Sequence, residues 1–261
     1  MRGTALSLLF ASCVALSCGG TTGYELVTFY AAARGPADAV KGKPYSFAAG
    51  GHQVTLTKAV LHVGALYLVQ SCPTSGAGAE PCTLPATYVG EVRGGGDVDM
   101  LDPSLQEMHV TGSGTTIPAC TGQVWLMHGD VNASSDPLPV LTLQGTIDGA
   151  KSFSASIPID QSDQPAPASS ALPGENPICQ LRIVTPIAAH LTLGQGGTLV
   201  LALDPKALFV NANLGELPSP PGCPTDLCFT SDGSDQPSVN LFQNLRSSGA
   251  LYQFEWREGP P

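Results

Sequence analysis

The stretch VLTLQGTIDGAKSFSASIPI, residues 140–159, alternates apolar with small or polar residues on both sides of Asp148-Gly149. A period of two is that of a strand with one buried face. Asp-Gly between two such runs favours a type I′ hairpin, because both central residues must accept positive φ. Working outward, the same pattern recurs in short runs: Glu25 to Ala32, Gln53 to Thr57, Gly122 to His128, Leu181 to Ile187, Leu191 to Leu193, Thr198 to Leu203 and Leu251 to Trp256. Ala59 to Val69 is apolar on both faces, as in a strand covered on both sides. Thr87 to Val92 and Val98 to Leu101 flank Arg93-Gly-Gly-Gly-Asp97 and predict a second hairpin. Helix is scarce. Asp204-Pro205 supplies an N-cap and a first-turn proline for a short helix through Phe209, and Ser238 to Leu245 predicts another. The segments Ser71 to Pro85, Gln161 to Pro177 and Leu214 to Gln236 read as long loops. The expected fold is all-β: an antiparallel β-sandwich forming one domain over residues 24–261, with long disulfide-pinned loops and one or two short helices.

Composition agrees and excludes other classes. Gly (30) and Pro (23) make about a fifth of the 261 residues, without the triplet period of collagen. Charged residues are only 12%, too few for a coiled coil, and the 43% hydrophobic content is too high for a disordered chain. With 11 Lys and Arg against 21 Asp and Glu, the net charge of −10 argues against nucleic acid as a partner.

The first residues carry an export address. Met1-Arg2 is a short positive region and Ala5 to Leu16 an apolar one. That run is shorter than the about 20 residues a spanning helix needs, and suits a secretion signal. It ends in Ala15-Leu16-Ser17-Cys18-Gly19-Gly20, which resembles the lipobox of bacterial lipoproteins. The resemblance implies a signal peptide over 1–17, lipidation such as palmitate at Cys18 and a tether over 18–23. Ala15 departs from the Leu or Val commoner there, and Cys13 is a competing position. Gly19, which is not Asp, implies the outer membrane of the cell envelope by the same resemblance. Loss of Arg2 takes the charge from −10 to −11. The expected partner on this side is the membrane, reached through the lipid.

Six cysteines remain: Cys72, Cys82, Cys120, Cys179, Cys223 and Cys228. In an exported chain these read as disulfides, and six allow fifteen pairings. Local closure is the simplest choice, because short loops close at low entropy cost. It pairs Cys72 with Cys82 and Cys223 with Cys228, leaving Cys120 with Cys179. A zinc site would need a second ligand pair that the chain lacks beside Cys223-Pro-Thr-Asp-Leu-Cys228.

No nucleophile elbow, phosphate loop, H-E-x-x-H or S-x-x-K motif is present. The expectation is therefore no enzyme and no catalytic residue. Asp130, Asn132 and Asp136 have an oxygen-rich spacing, but no bidentate Glu follows, so they read as a polar turn. Of the five histidines, His62 lies on a buried strand and His128 closes the run Val124-Trp-Leu-Met-His. Imidazole and thioether suit copper, so His62, Met127 and His128 are the candidate metal residues, against the alternative that they are core groups.

Phe29 to Gly35, Gly51-His-Gln-Val-Thr-Leu56 running into Leu61 to Leu68, and Trp125-Leu-Met-His-Gly129 resemble the periplasmic copper-binding β-sandwich proteins found with methanobactin-type copper systems. Strands like Leu141 to Ile147 and Phe153 to Ile159 follow in both. The resemblance spans residues 24–160 and implies copper held through His and an oxidised Trp, although that family's repeated Trp spacing is missing. The whole chain is similar to uncharacterised bacterial surface lipoproteins. The expected function is that of a cell-envelope lipoprotein with a non-catalytic ligand-binding sandwich, copper being a candidate ligand. A structural or protein-interaction module and an envelope enzyme of unidentified type are the alternatives.

Overall fold

The structure, a computed structural model, describes residues 24–72, 87–133, 135–160 and 177–261. The signal segment, Cys13, Cys18, the tether and Cys82 lie outside these residues, as do most of the loops 71–85 and 161–177.

The strands are β1 (Leu26–Arg34), β2 (Tyr45–Ala49), β3 (His52–Val63), β4 (Ala65–Val69), β5 (Tyr88–Val92), β6 (Gly96–Asp99), β7 (Gln106–Glu107), β8 (Gly112–Thr115), β9 (Ala119–Trp125), β10 (Leu141–Ile147), β11 (Lys151–Ile157), β12 (Ile183–Leu191), β13 (Thr198–Leu203), β14 (Leu227–Phe229) and β15 (Tyr252–Arg257). Helices α1 (Pro177–Arg182) and α2 (Gln236–Leu245) and two 3-10 turns complete the described chain. The turn over Pro205–Phe209 starts as expected: Asp204 caps it by accepting from Lys206 N at 3.0 Å.

The fold is all-β, with one departure from a plain sandwich. One sheet runs β12-β9-β4-β5-β8-β1-β13-β15, with β7 on β1. Its end strands β12 and β15 lie against each other, so it curls toward a barrel. Along β1, Val27, Phe29 and Ala31 point inward and Leu26, Thr28 and Tyr30 outward. The second sheet runs β14-β11-β10-β3-β2, with β6 on β3. Pairing is not wholly antiparallel, since β1 with β13 and β11 with β14 are parallel. Phe153 and Phe47 on the second sheet pack edge-on against Phe209, with centroids 6.0 and 5.5 Å away.

Glycines make the crossings between sheets. The expected single strand Ala59 to Val69 breaks at Gly64, where β3 leaves one sheet and β4 joins the other. A Cβ on Gly64 would stand 2.7 Å from Met127 Cγ. The expected hairpin around Arg93 to Asp97 does not form: β5 pairs β4 and β8, and β6 pairs β3 in the other sheet. Gly94 takes φ 143° there, and a Cβ on Gly95 would collide with the Val63 carbonyl. Both crossings use residues without a Cβ because two backbones pass in contact. The Asp148-Gly149 hairpin forms as read, with φ 54° and 66° and a closing bond from Ala150 N to Ile147 O of 3.1 Å.

The cysteine pairing differs from local closure. Cys72 is bridged to Cys120, with Cα atoms 5.1 Å apart, and Cys223 to Cys228, at 5.9 Å. Cys179 is disulfide-bonded too. So Cys72 does not pair with Cys82, nor Cys120 with Cys179. The reason is register: Val69 lies opposite Thr121 on β9, which brings the chain after β4 beside Cys120. The Cys72–Cys120 bridge spans 48 residues, for which the chain-entropy relation gives about 4 kcal/mol. Cys120→Ala is expected to lower the melting temperature of the oxidised protein by several degrees. A thermal unfolding scan checks this, and peptide mapping of the native protein should recover Cys72 linked to Cys120.

Candidate functional site

Two of the three candidate metal residues, His62 and His128, stack on each other beside the glycine crossing. His62 stands on β3 directly opposite Asp97 on β6, and its Nδ1 lies 2.7 Å from Asp97 Oδ1. Directly opposed residues in an antiparallel pair bring their side chains together on one face. His128 follows the end of β9. Its ring stacks on that of His62, with centroids 3.6 Å apart and an interplanar angle of 21°. The His128 Nε2 donates to Pro139 O at 3.1 Å.

His128 is placed by a buried network that begins at Arg182, whose side chain is fully buried. Arg182 sits at the end of α1, and its own carbonyl accepts from Leu126 N at 2.7 Å. Its guanidinium is caged by backbone carbonyls. The Nη1 donates to Asp130, Val131 and Ala133 O at 3.1, 3.1 and 2.7 Å. The Nε and Nη2 donate to Ile159 O at 3.1 and 2.9 Å. Burial pushes the guanidinium pKa down, opposed by the charges of Asp136, Asp160 and Asp130. Arginine stays charged under such pressure. Asp160 Oδ2 accepts from Ser135 Oγ and Asp136 N, at 2.9 and 2.8 Å, and Asp136 Oδ2 accepts from His128 N at 2.9 Å. The chain of contacts thus runs from Arg182 through the 130–136 turn to His128 and then to His62.

The other residues singled out in the sequence lie around this arrangement. Asp130, Asn132 and Asp136 form a polar turn: Asp130 Oδ1 accepts from Asn132 N at 2.8 Å, and three turn carbonyls close on a guanidinium. Met127 lies over Gly64, its Cγ packed against the crossing. Trp125 is turned to other work, packing 4.6 Å from Tyr67 and donating Nε1 to Gln123 Oε1 at 3.1 Å. Arg182, Asp97 and Asp160 escaped the sequence reading. The one signal for Arg182 is a lone cation in the apolar run Leu181 to Ile187.

The residues present do not make a shared copper site as they stand. A metal bound to an imidazole nitrogen lies close to the ring plane, about 2.0–2.1 Å from the nitrogen. Two stacked rings with centroids 3.6 Å apart and planes only 21° from parallel have no common in-plane point at that distance. One nitrogen of each ring is also engaged, His62 Nδ1 with Asp97 and His128 Nε2 with Pro139. Among the described residues, no three His, Cys, Asp or Glu side chains are grouped to hold a metal. Compared with protein-family models, curated proteins and solved structures, the chain matches none.

Two expectations follow. Arg182→Met should destabilise the protein by about 3–5 kcal/mol, since it leaves buried carbonyls and carboxylates without their cation; urea unfolding measures it. Elemental analysis of purified wild-type protein should find copper well below one equivalent. One equivalent that disappears in His62→Ala would contradict the stacking argument.

Proposed function

We propose that the chain is an exported lipoprotein of the cell envelope, anchored in the outer membrane through Cys18, whose all-β body acts by binding and not by catalysis. The observation that carries the export half is the oxidised state of the body. Cys72, Cys120, Cys179, Cys223 and Cys228 are all bridged, and such bridges belong to oxidising compartments. They support the reading of Met1 to Cys18 as a signal ending at a lipidated cysteine.

The binding half rests on how the body is filled. Phe29, Leu66, Leu68, Val124, Leu199 and Leu201 are buried in the core. A ligand or protein partner therefore meets the surface, where an open groove of about 360 Å³ lies beside Arg34 and Asp204.

The anchor is tested by intact mass. Protein extracted from membranes with detergent should weigh more than residues 18–261 by its acyl chains, and Cys18→Ala should carry no lipid and should lose palmitate labelling. Wild-type protein at the mass of the bare polypeptide would refute the lipoprotein reading.

A further inference from the structure

Exposed apolar side chains gather where the described chain begins. Leu26 is 87% exposed, Tyr24 56% and Tyr88 43%. Leu26 is paired with Thr115 at the end of β8, and Tyr88 is the first residue of β5. Both line the same groove of about 420 Å³, whose mouth is thus apolar and aromatic. The strand start is firmly held: Glu25 N donates to Thr116 Oγ1 and Thr116 N donates to Glu25 O, each at 3.0 Å. Leu26 therefore projects outward from a paired strand and is not a frayed end.

Its position relative to Cys18 bears on what covers it. Five residues separate Cys18 from Tyr24. Even fully extended, that length holds the lipid-bearing residue within about 20 Å of Tyr24. An anchor of that reach keeps this end of the barrel beside the bilayer, where tyrosine and leucine are at home: the ring sits among headgroups while the apolar part enters the acyl boundary. Leu26 alternates with the inward residues Val27 and Phe29, so it cannot turn into the core without inverting the strand. The carboxylates nearby, Glu25 and Glu91, and the negative charge of the chain favour a neutral over an anionic lipid surface.

We infer that the Tyr24, Leu26 and Tyr88 end of the barrel is a membrane-contacting surface, seated on the headgroup region of the bilayer that holds the Cys18 lipid. This rests on the lipoprotein reading. It also sets the orientation of the body. Strand β4 runs from Ala65, beside the Gly64 crossing, to Val69, opposite Tyr88. With Tyr88 at the bilayer, the His62–His128 stack lies at the far end of β4, directed away from it.

The test is hydroxyl-radical footprinting of the full lipidated protein in phosphatidylcholine–phosphatidylethanolamine vesicles, compared with Cys18→Ala protein free in solution. Val40, Leu138 and Val210 serve as internal references, since they are 62%, 54% and 51% exposed on other segments. Labelling of Tyr24, Leu26 and Tyr88 should fall several-fold on vesicles while the references stay unchanged. Leu26→Asp, at an exposed site that leaves the core intact, should retain the lipid and restore labelling at Tyr24 and Tyr88. Unprotected Tyr24 and Tyr88 in protein whose mass shows the lipid would overturn this surface alone, as would protection centred on the references. A mass without lipid would overturn the anchor and this inference together, and the mass measurement separates the two failures.

Discussion

A guanidinium with no access to water must find every donor a partner, and Arg182 finds its partners in the backbone. Four carbonyls, from Asp130, Val131, Ala133 and Ile159, close around it, and Leu126 is tied to its own carbonyl. These groups come from the turn after β9 and the chain after β11, so one side chain joins the margins of both sheets. The cost of burying the charge is offset only if every contact is made. The turn is consequently held in one conformation, and the position of His128 follows from it, because Asp136 accepts from the His128 amide.

The second constraint is close backbone approach. Gly64 and Gly95 occur where the chain changes sheets, and at both a Cβ would occupy space held by Met127 or Val63. Sandwich and barrel differ in what happens at such corners. Here β3 and β4 are one bent ribbon shared between layers, and the larger sheet continues around until β12 meets β15. The stacked histidines sit at this corner. Their geometry is a product of the crossing: β6 brings Asp97 to His62, and the Arg182 turn brings His128.

What could be read from the residues was what depends on near neighbours. The Asp148-Gly149 hairpin was legible because alternation and positive φ are both local requirements. The Asp204 cap was legible for the same reason. The glycine run at 94–96 was not, since glycines serve a hairpin or a crossing equally and the choice is made by the distant Val63 backbone. The Cys72–Cys120 bridge was misread because loop entropy favours near partners, whereas β4–β9 register decides which sulfurs meet. For the candidate site, residue type singled out His62 and His128, but not the stacking that joins them. Residue type suggests ligation, whereas the two rings as they stand are stacked, a geometry that offers no shared metal position.

The two ends of the barrel are chemically unlike, and that asymmetry bears on how the body works. At the Leu26 end, apolar groups face outward at a strand start that hydrogen bonds hold rigid. At the Gly64 end, carboxylates, imidazoles and a caged cation are knit into one polar network. Strand β4, Ala65–Val69, runs between them. A lipid anchor at Cys18, of the kind proposed above, would direct the second end away from the bilayer. The buried Arg182 network fixes the turn that presents His128 on that far surface.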